Sequence, residues 1–417
     1  MHKSYPLIPL SARALNFLAL ADANGNGNSC DLIILKSRPS NQQLEHAVDQ
    51  IAKSHPIMQS RIIRKRCRYY WEYDCQLLPE KKFLDWSENY ANFEQWHSAL
   101  RRYLFDDVID PFASSPVKFV CIHYQQYCAL LFISSHTASD ARSGYLLFEQ
   151  LNAHLNAQAV KVVDNAFEND HSLFEPCGFS AYVKASGRLL TNLLRRRSLV
   201  DLKCEISEDW QVEYIDLGEA ATKKLVDWSK KNQVSVNVAL NHILSESICG
   251  KSKLSILETM SIRSRSKRNL EWAYNNLIIV FESHIGGGNN WLIGYRKHLD
   301  KVKSKNYKTF EAQQKIQAFT INLLPRTALK ALVNIYKKLF LKGNMILSNL
   351  GVLEFDLSHL GEHEIVDVYN FSVPLPPAGL AFVMSTYRQK LRLSLAHRGH
   401  DVSSIMNEIK ANIQAIK

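Results

Sequence analysis

The stretch FISSHTASDARSGYLL, residues 132–147, decides how this chain is read. An apolar run of strand character stops abruptly at Ser135-His136, Asp140 follows four residues after the histidine, and a helical pattern begins behind it. A strand that ends on a histidine delivers an imidazole to the edge of a sheet, where backbones turn and side chains can face a cleft. An aspartate just ahead of a helix accepts hydrogen bonds from the free N–H groups of its first turn. Taken alone, H-x-x-x-D fits two descriptions. One is a reacting His136 whose loop is held by a carboxylate; the other is a strand-end polar residue followed by an ordinary cap, Ser139 or Asp140.

The flanks supply context. CALLFISS (128–135) and VKFVCIHY (117–124) form a predicted hairpin across a short polar turn. SNQQLEHAVDQIAKSHP (40–56) reads as an amphipathic helix, with Ser40 as cap and Leu44, Val48 and Ile51 on its apolar face. Residues 11–22 read as a helix capped by Ser11, 30–36 as a strand, 57–74 as alternating strands, and 92–109 and 142–156 as helices. The span 160–208 lacks a strong strand, turns basic toward its end, and reads as a linker carrying a helix. The pattern then restarts. Strands are predicted at 213–217, 253–263, 275–283, 345–351, 364–373, 380–387 and 391–398. Helices are predicted at 219–232, 235–247, 289–304, 308–338 and 401–416. This order predicts an α/β chain of two lobes, 1–165 and 209–417, joined by a basic linker at 166–208. The interface between two lobes is a common place for a substrate site.

Length and composition agree: 417 residues, 46% hydrophobic and 22% charged, suit two sizeable cores. No run of 18 apolar residues exists, and the N-terminal stretch is short, proline-broken and followed by no cleavage site, so a cytoplasmic protein is expected. The net charge of +11 favours anionic partners. Three clusters carry much of it: 61–68, 187–203 and 326–344. Tyr69, Tyr70 and Trp71 follow the first, but no nucleic-acid motif surrounds them, so no nucleic-acid partner is expected. The third reads as an amphipathic helix, with Leu329, Leu332, Val333, Tyr336, Leu339 and Phe340 against Lys330, Lys337, Lys338 and Lys342. That pattern keeps a membrane surface open as a second choice.

Other motifs fall away on their chemistry. The eight cysteines form no C-x-x-C pair and read as reduced, buried small residues, so neither a disulfide framework nor a metal is expected. His359/His363 and His397/His400 have ligand-like gaps but lack a third nearby partner. DANGNGNSCDLI (22–33) begins like a calcium loop, yet Ile33 stands where a bidentate glutamate is needed. CGKS (249–252) lacks the first glycine of a phosphate loop, and no G-x-S-x-G elbow is present.

The segment Ser135-His136-Thr137-Ala138-Ser139-Asp140-Ala141 resembles the HHxxxDG signature of the condensation-domain and CoA-dependent acyltransferase superfamily. The second histidine and the aspartate match; Ser135 replaces the first histidine and Ala141 the glycine. The likeness runs along the chain in order: YPLIPLSARALNFL, LEHAVDQIAKSHPIMQSRI, DPFASSPVKFVCIHY, VSVNVALNHIL, MSIRSR, YNNLIIVF and MILSNLG each resemble a segment of that family. The DFGWG signature does not; SNLGVLEFD stands there.

The resemblance implies two chloramphenicol-acetyltransferase-like α/β sandwich lobes in a V, with a central tunnel and segments of the second lobe crossing over to close it. It implies an acyltransferase that moves an acyl group from a carrier-protein or CoA thioester to an amine or hydroxyl acceptor. His136 would be the general base or positioning group. Asp140 would be structural, paired with Arg263 or, failing that, Arg265. Ser135, Ser139, Ser348 and Asn349 are candidates for lining the tunnel. No tightly bound cofactor is implied; the phosphopantetheine or CoA thioester is a substrate, an acyl or peptidyl carrier protein the partner, and a monomer the expected state. A lipid-type O-acyltransferase at a membrane surface and an inactive docking module remain as alternatives.

Overall fold

The computed structural model describes residues 6–160, 170–194, 210–249, 253–270, 273–286, 291–339, 345–353, 358–373, 379–398 and 402–416. The first half runs β1 (Ile8–Pro9), α1 (Ala12–Asn24), β2 (Asn28–Leu35), α2 (Asn41–Ser54), β3 (Ser60–Lys65), β4 (Arg68–Tyr73), β5 (Glu80–Asp85), α3 (Phe93–Asp106), β6 (Val117–Tyr124), β7 (Tyr127–Ser135) and α4 (Ala141–Leu155). Helices α5 (Asp170–Leu173) and α6 (Phe179–Leu194) lie between the halves. The second half runs β8 (Trp210–Asp216), α7 (Gly218–Lys231), α8 (Val236–Cys249), β9 (Lys253–Ser261), β10 (Ile278–Gly286), α9 (Trp291–Lys301), α10 (Tyr307–Leu323) and α11 (Arg326–Leu339). It closes with β11 (Met345–Val352), β12 (His359–Leu360), β13 (His363–Ser372), β14 (Leu380–Tyr387), β15 (Lys390–Arg398) and α12 (Ser403–Ala415).

Local chemistry sets the helix starts. Ser11, Ser40, Asn92 and Asp140 sit in extended backbone and accept from an N–H of the first turn of α1, α2, α3 and α4. The long helical pattern at 308–338 is two helices, because Pro325 cannot supply the N–H that a continuous helix needs. α10 ends at Leu323 and α11 begins at Arg326.

Strands β2, β6 and β7 are buried nearly end to end because both faces of their sheet are covered. Alternate side chains go to opposite sides. Ile33, Phe119, Cys121, Leu130 and Phe132 meet Leu44, Val48 and Ile51 of α2 and Leu147, Phe148 and Leu151 of α4. Leu32, Ile34, Val120, Ile122, Leu131 and Ile133 meet Trp96 and Leu100 of α3 on the other side, with Val212, Ala381 and Ala396 from the second half. Each fully buried aliphatic side chain contributes roughly 1.5–3 kcal/mol relative to exposure. A separate core joins β9, β10, β11, β14 and β15 to α7, α8, α9 and α12.

The strand order is β12-β13-β2-β7-β6-β5 in one six-stranded sheet and β10-β9-β11-β14-β15-β8 in the other, with a small β1-β4-β3 sheet beside them. The molecule is thus an α/β protein of two sheet-rich lobes. One strand changes sides: β13, from the second half, pairs antiparallel with β2, placing Asn370 opposite Asp31. Helices α10 and α11 also leave the second half to pack on α1. Leu329 and Val333 of α11 are buried in the first core, with Leu332 half-buried against it. The described part of that apolar face, Leu329, Leu332 and Val333, therefore meets protein; the side chains of residues 336–340, which include Tyr336, Leu339 and Phe340, lie outside the described residues. No helix among the described residues is long and apolar enough to cross a membrane.

Candidate functional site

Strand β7 ends at Ser135, and the next residue turns away. The His136 N–H donates to the Gly27 carbonyl at 2.9 Å. A Cβ at Gly27 would lie 2.3 Å from Cβ of Ala21, so the close approach needs glycine. His136 Nδ1 lies 2.7 Å from the carbonyl oxygen of Ser139. A carbonyl only accepts, so Nδ1 carries the proton and Nε2 keeps the lone pair. The Phe17 ring stacks on the imidazole, centroids 4.3 Å apart. Burial lowers the pKa of His136 below its ordinary 6.5, against smaller upward pulls from the Ser139 carbonyl and the Asp140 charge. The ring stays neutral near neutral pH, as a base must.

Asp140 does two things at once. As cap of α4 its Oδ1 accepts from the Ser143 N–H at 3.1 Å. The same oxygen accepts from Arg263 Nη2 at 2.5 Å, and Oδ2 accepts from the Leu277 N–H at 2.9 Å. Both charged side chains are 4% exposed. Arg263 also donates to the carbonyls of Leu270 (3.0 Å), Ala273 (2.6 Å) and Asn275 (3.1 Å) and to Ser143 Oγ (3.1 Å). One guanidinium thus ties Leu270, Ala273 and Asn275 of the second half to the turn that follows His136. Arg265 points elsewhere, donating to the Lys303 carbonyl at 2.7 Å and lying over the Tyr307 ring.

His136 opens on a cavity of about 650 Å³ whose walls come from both halves. Phe17, Asp31 and Tyr145 contribute from the first; Thr259, Ser348 and Asn349 from the second. Thr259 Oγ1 donates to Ser348 Oγ at 3.1 Å, and Asn349 Nδ2 donates to Asn237 Oδ1 at 3.1 Å, so both polar residues are held in place. Ser135 and Ser139 are buried behind the imidazole and do not line the cavity; Ser139 acts through its carbonyl. Ala141 does line it.

Three residues passed over in the sequence complete the arrangement. Asn276 Nδ2 donates to the His136 carbonyl at 2.5 Å, and Arg13 Nε donates to the Asn276 carbonyl at 3.2 Å. Asp31 is a carboxyl buried in the middle of β2, bonded to Asn370, which is bonded in turn to Tyr145. Burial pushes the Asp31 pKa well above the ordinary 3.8, with the Asn370 bond pulling the other way, so its surroundings favour the neutral form. The signal for Asp31 was legible: a lone acidic residue inside the apolar run CDLIILK. Nothing local marked Asn276 apart from its position in YNNLIIVF.

No family model matches the sequence, and no curated protein matches it. Solved structures do match over the full length. The epimerization domain from the third module of tyrocidine synthetase B superposes with a TM-score of 0.70 at 11% identity, covering 100% of this chain and 98% of that one. The first condensation domain of the calcium-dependent antibiotic synthetase gives 0.67 at 11% identity, covering 99% and 97%. The starter condensation domain of rhizomide synthetase, a mutant form in complex with C8-CoA, gives 0.63 at 10% identity, covering 99% and 96%. The chain therefore has the two-lobed fold of these domains, as the motif order implied.

Proposed function

We propose that the protein is a condensation-type acyltransferase, moving an acyl group from a phosphopantetheine or CoA thioester to an amine or hydroxyl acceptor in natural-product biosynthesis. The observation that carries the reading is His136. It is a neutral imidazole with its proton fixed on Nδ1, and it sits in the wall of a cavity built from both lobes.

In this mechanism acceptor and thioester meet in the cavity beside Nε2. The nucleophile attacks the thioester carbonyl carbon and forms the new C–N or C–O bond. Nε2 takes the nucleophile's proton as that bond forms. The tetrahedral intermediate then collapses, the C–S bond breaks, and the imidazolium returns the proton to the leaving thiolate. No covalent bond to the enzyme is needed; holding the partners in line supplies much of the acceleration. Asp140 and Arg263 do not touch the reacting atoms. They fix the loop that aims the imidazole. Ser348, Asn349, Tyr145 and Asp31 are the polar groups available to orient substrate. The likeness to a starter condensation domain in complex with C8-CoA supports a thioester donor. A carrier protein is the proposed partner, and the exposed basic run Arg64–Arg68 on the β3–β4 turn is a surface that an acidic carrier or CoA phosphates would favour.

The test is a mass-resolved product assay with acyl-CoA and acyl-carrier donors and a panel of amine and alcohol acceptors, on wild type and His136→Ala. Joined product from wild type alone supports the reading. Carrier binding without product from either protein makes it a docking module instead. Loss of stereochemistry at unchanged mass would instead indicate the chemistry named for the tyrocidine synthetase domain.

A further inference from the structure

The hairpin that carries His136 at one end holds a second cluster at the other. Cys121 and His123 are two residues apart on β6, so they share a face of the sheet. On β7, Cys128 is the register partner of His123. The pairing draws three donors together. Cys121 Sγ lies 3.4 Å from Cys128 Sγ and 3.6 Å from His123 Nε2. All three donor atoms lie within 4.8 Å of one another. Asn41, the first residue of α2, brings its Oδ1 to 3.1 Å from the same Nε2.

These separations are those of a coordination shell. Zinc bonds of about 2.3 Å to sulfur and 2.0–2.1 Å to nitrogen, at tetrahedral angles, put S···S near 3.8 Å and S···N near 3.6 Å. The observed distances need only a few tenths of an ångström of adjustment. The surroundings fit as well. Both cysteines are wholly buried in the core shared by the sheet, α2 and α4. His123 turns Nε2 toward the two sulfurs, which leaves the buried Nδ1 to carry the ring proton. Two thiolates and one divalent zinc sum to zero charge, the form that an apolar core tolerates. Asn41 is exposed, so an ion would reach the cluster from the N-terminus of α2.

We propose that Cys121, His123 and Cys128 bind one zinc ion, with Asn41 Oδ1 or a water as fourth ligand. The ion would be structural, clipping the far end of the β6–β7 hairpin to α2 and stiffening the strand that presents His136. A search for C-x-x-C spacing passes over this set because its pattern is C-x-H-x4-C and only the strand register closes it.

The full chain, without a polyhistidine tag, should be produced in zinc-supplemented medium, dialysed and analysed for metal. About one zinc per chain is expected, and replacement by cobalt should give a thiolate charge-transfer band with tetrahedral d–d bands. Cys121→Ser and Cys128→Ser should lose both signals, whereas Cys67→Ser, at an exposed cysteine, should keep them. A strong chelator should lower the melting temperature of wild type. Wild type alone decides the matter if the variants fail to fold. Wild type without stoichiometric zinc overturns the proposal, and so does a Cys121–Cys128 disulfide seen as a mass deficit of about two hydrogens in the linked peptides. Full zinc retention by both serine variants also overturns it.

Discussion

Cutting the Asp140–Arg263 ion pair tests the frame on which the site rests. In Arg263→Leu, Asp140 keeps the Ser143 and Leu277 N–H groups but loses its guanidinium. Three carbonyls and Ser143 Oγ lose a donor together. At 4% exposure, water does not replace it. Removing one partner of a buried pair costs about 3–5 kcal/mol. At about 2–4 °C per kcal/mol for a domain of this lobe's size, the melting temperature falls by about 6–20 °C. Asp140→Ala should sit at the lower end, because Arg263 keeps the carbonyls of Leu270, Ala273 and Asn275 around its charge. The double variant should be less damaged than the sum of the singles by about 1 kcal/mol or more, since it leaves no unpaired charge. Urea unfolding followed by far-ultraviolet dichroism and by tryptophan emission gives the three numbers and shows whether both lobes melt together. Singles within about 0.5 kcal/mol of wild type, or costs that simply add, would refute the idea that this pair locks the loop.

Further outcomes follow from the same geometry. His136→Gln should lower kcat by about 10²–10⁴-fold. In wild type the acid limb of kcat/KM should fall as pH drops through a value below 6.5, because burial lowers the pKa of this ring, and the variant should lack that limb. A limb at or above 6.5 assigns the base elsewhere. Gly144→Ala should destabilise, because its Cβ would lie 1.7 Å from the Asp31 carboxylate; an unchanged melting temperature would show that the strand shifts freely. Burial holds the folded Asp31 pKa well above the ordinary 3.8 that the unfolded chain keeps. Its stabilising contribution is therefore complete below 3.8 and is lost as pH rises toward the folded value. Wild-type stability should fall by up to about 1.4 kcal/mol per pH unit across that window. Asp31→Asn should flatten the slope in urea midpoints measured from pH 5 to pH 8, and an unchanged slope would sink the assignment.

What the sequence disclosed and what it hid divide along a physical line. Local signals read correctly: Ser11 and Ser40 as caps, the 117–135 hairpin, and the apolar face of α2 all depend on neighbours within a few residues, and of the two caps offered for α4, Ser139 and Asp140, it is Asp140. Strand 364–373 was legible as a strand but not as a member of the first sheet. Its partner Asp31 lies 339 positions away, and no local pattern encodes that pairing. The amphipathic pattern of α11 was read correctly, yet pattern alone does not say whether its apolar face meets lipid or protein. The pairing of Asp140 with Arg263 came from resemblance, since spacing cannot join residues 123 positions apart. Asn276 and the Cys121–His123–Cys128 set were hidden for the same reason: each is assembled by register or by a loop crossing between halves.

Of the two departures from the HHxxxDG pattern, one lines the cavity and the other does not, and that difference separates their consequences. Ser135 is buried and off the cavity. Its N–H donates to the Pro116 carbonyl at 2.8 Å, and its Oγ accepts from the Thr137 N–H at 3.4 Å. A serine there supports the turn and takes no place among the groups that can reach a substrate, so its identity bears on how firmly His136 is held. Ala141 lies on the cavity wall, beside the aspartate whose carboxylate is tied to the Leu277 N–H and to Arg263. The loop is fixed from the far side, so the extra methyl cannot be accommodated by pushing the histidine back. It takes up room on the cavity wall instead. The departure at Ala141 should therefore bear on what the cavity admits, while the position of the imidazole stays set by Asp140, Arg263 and Asn276.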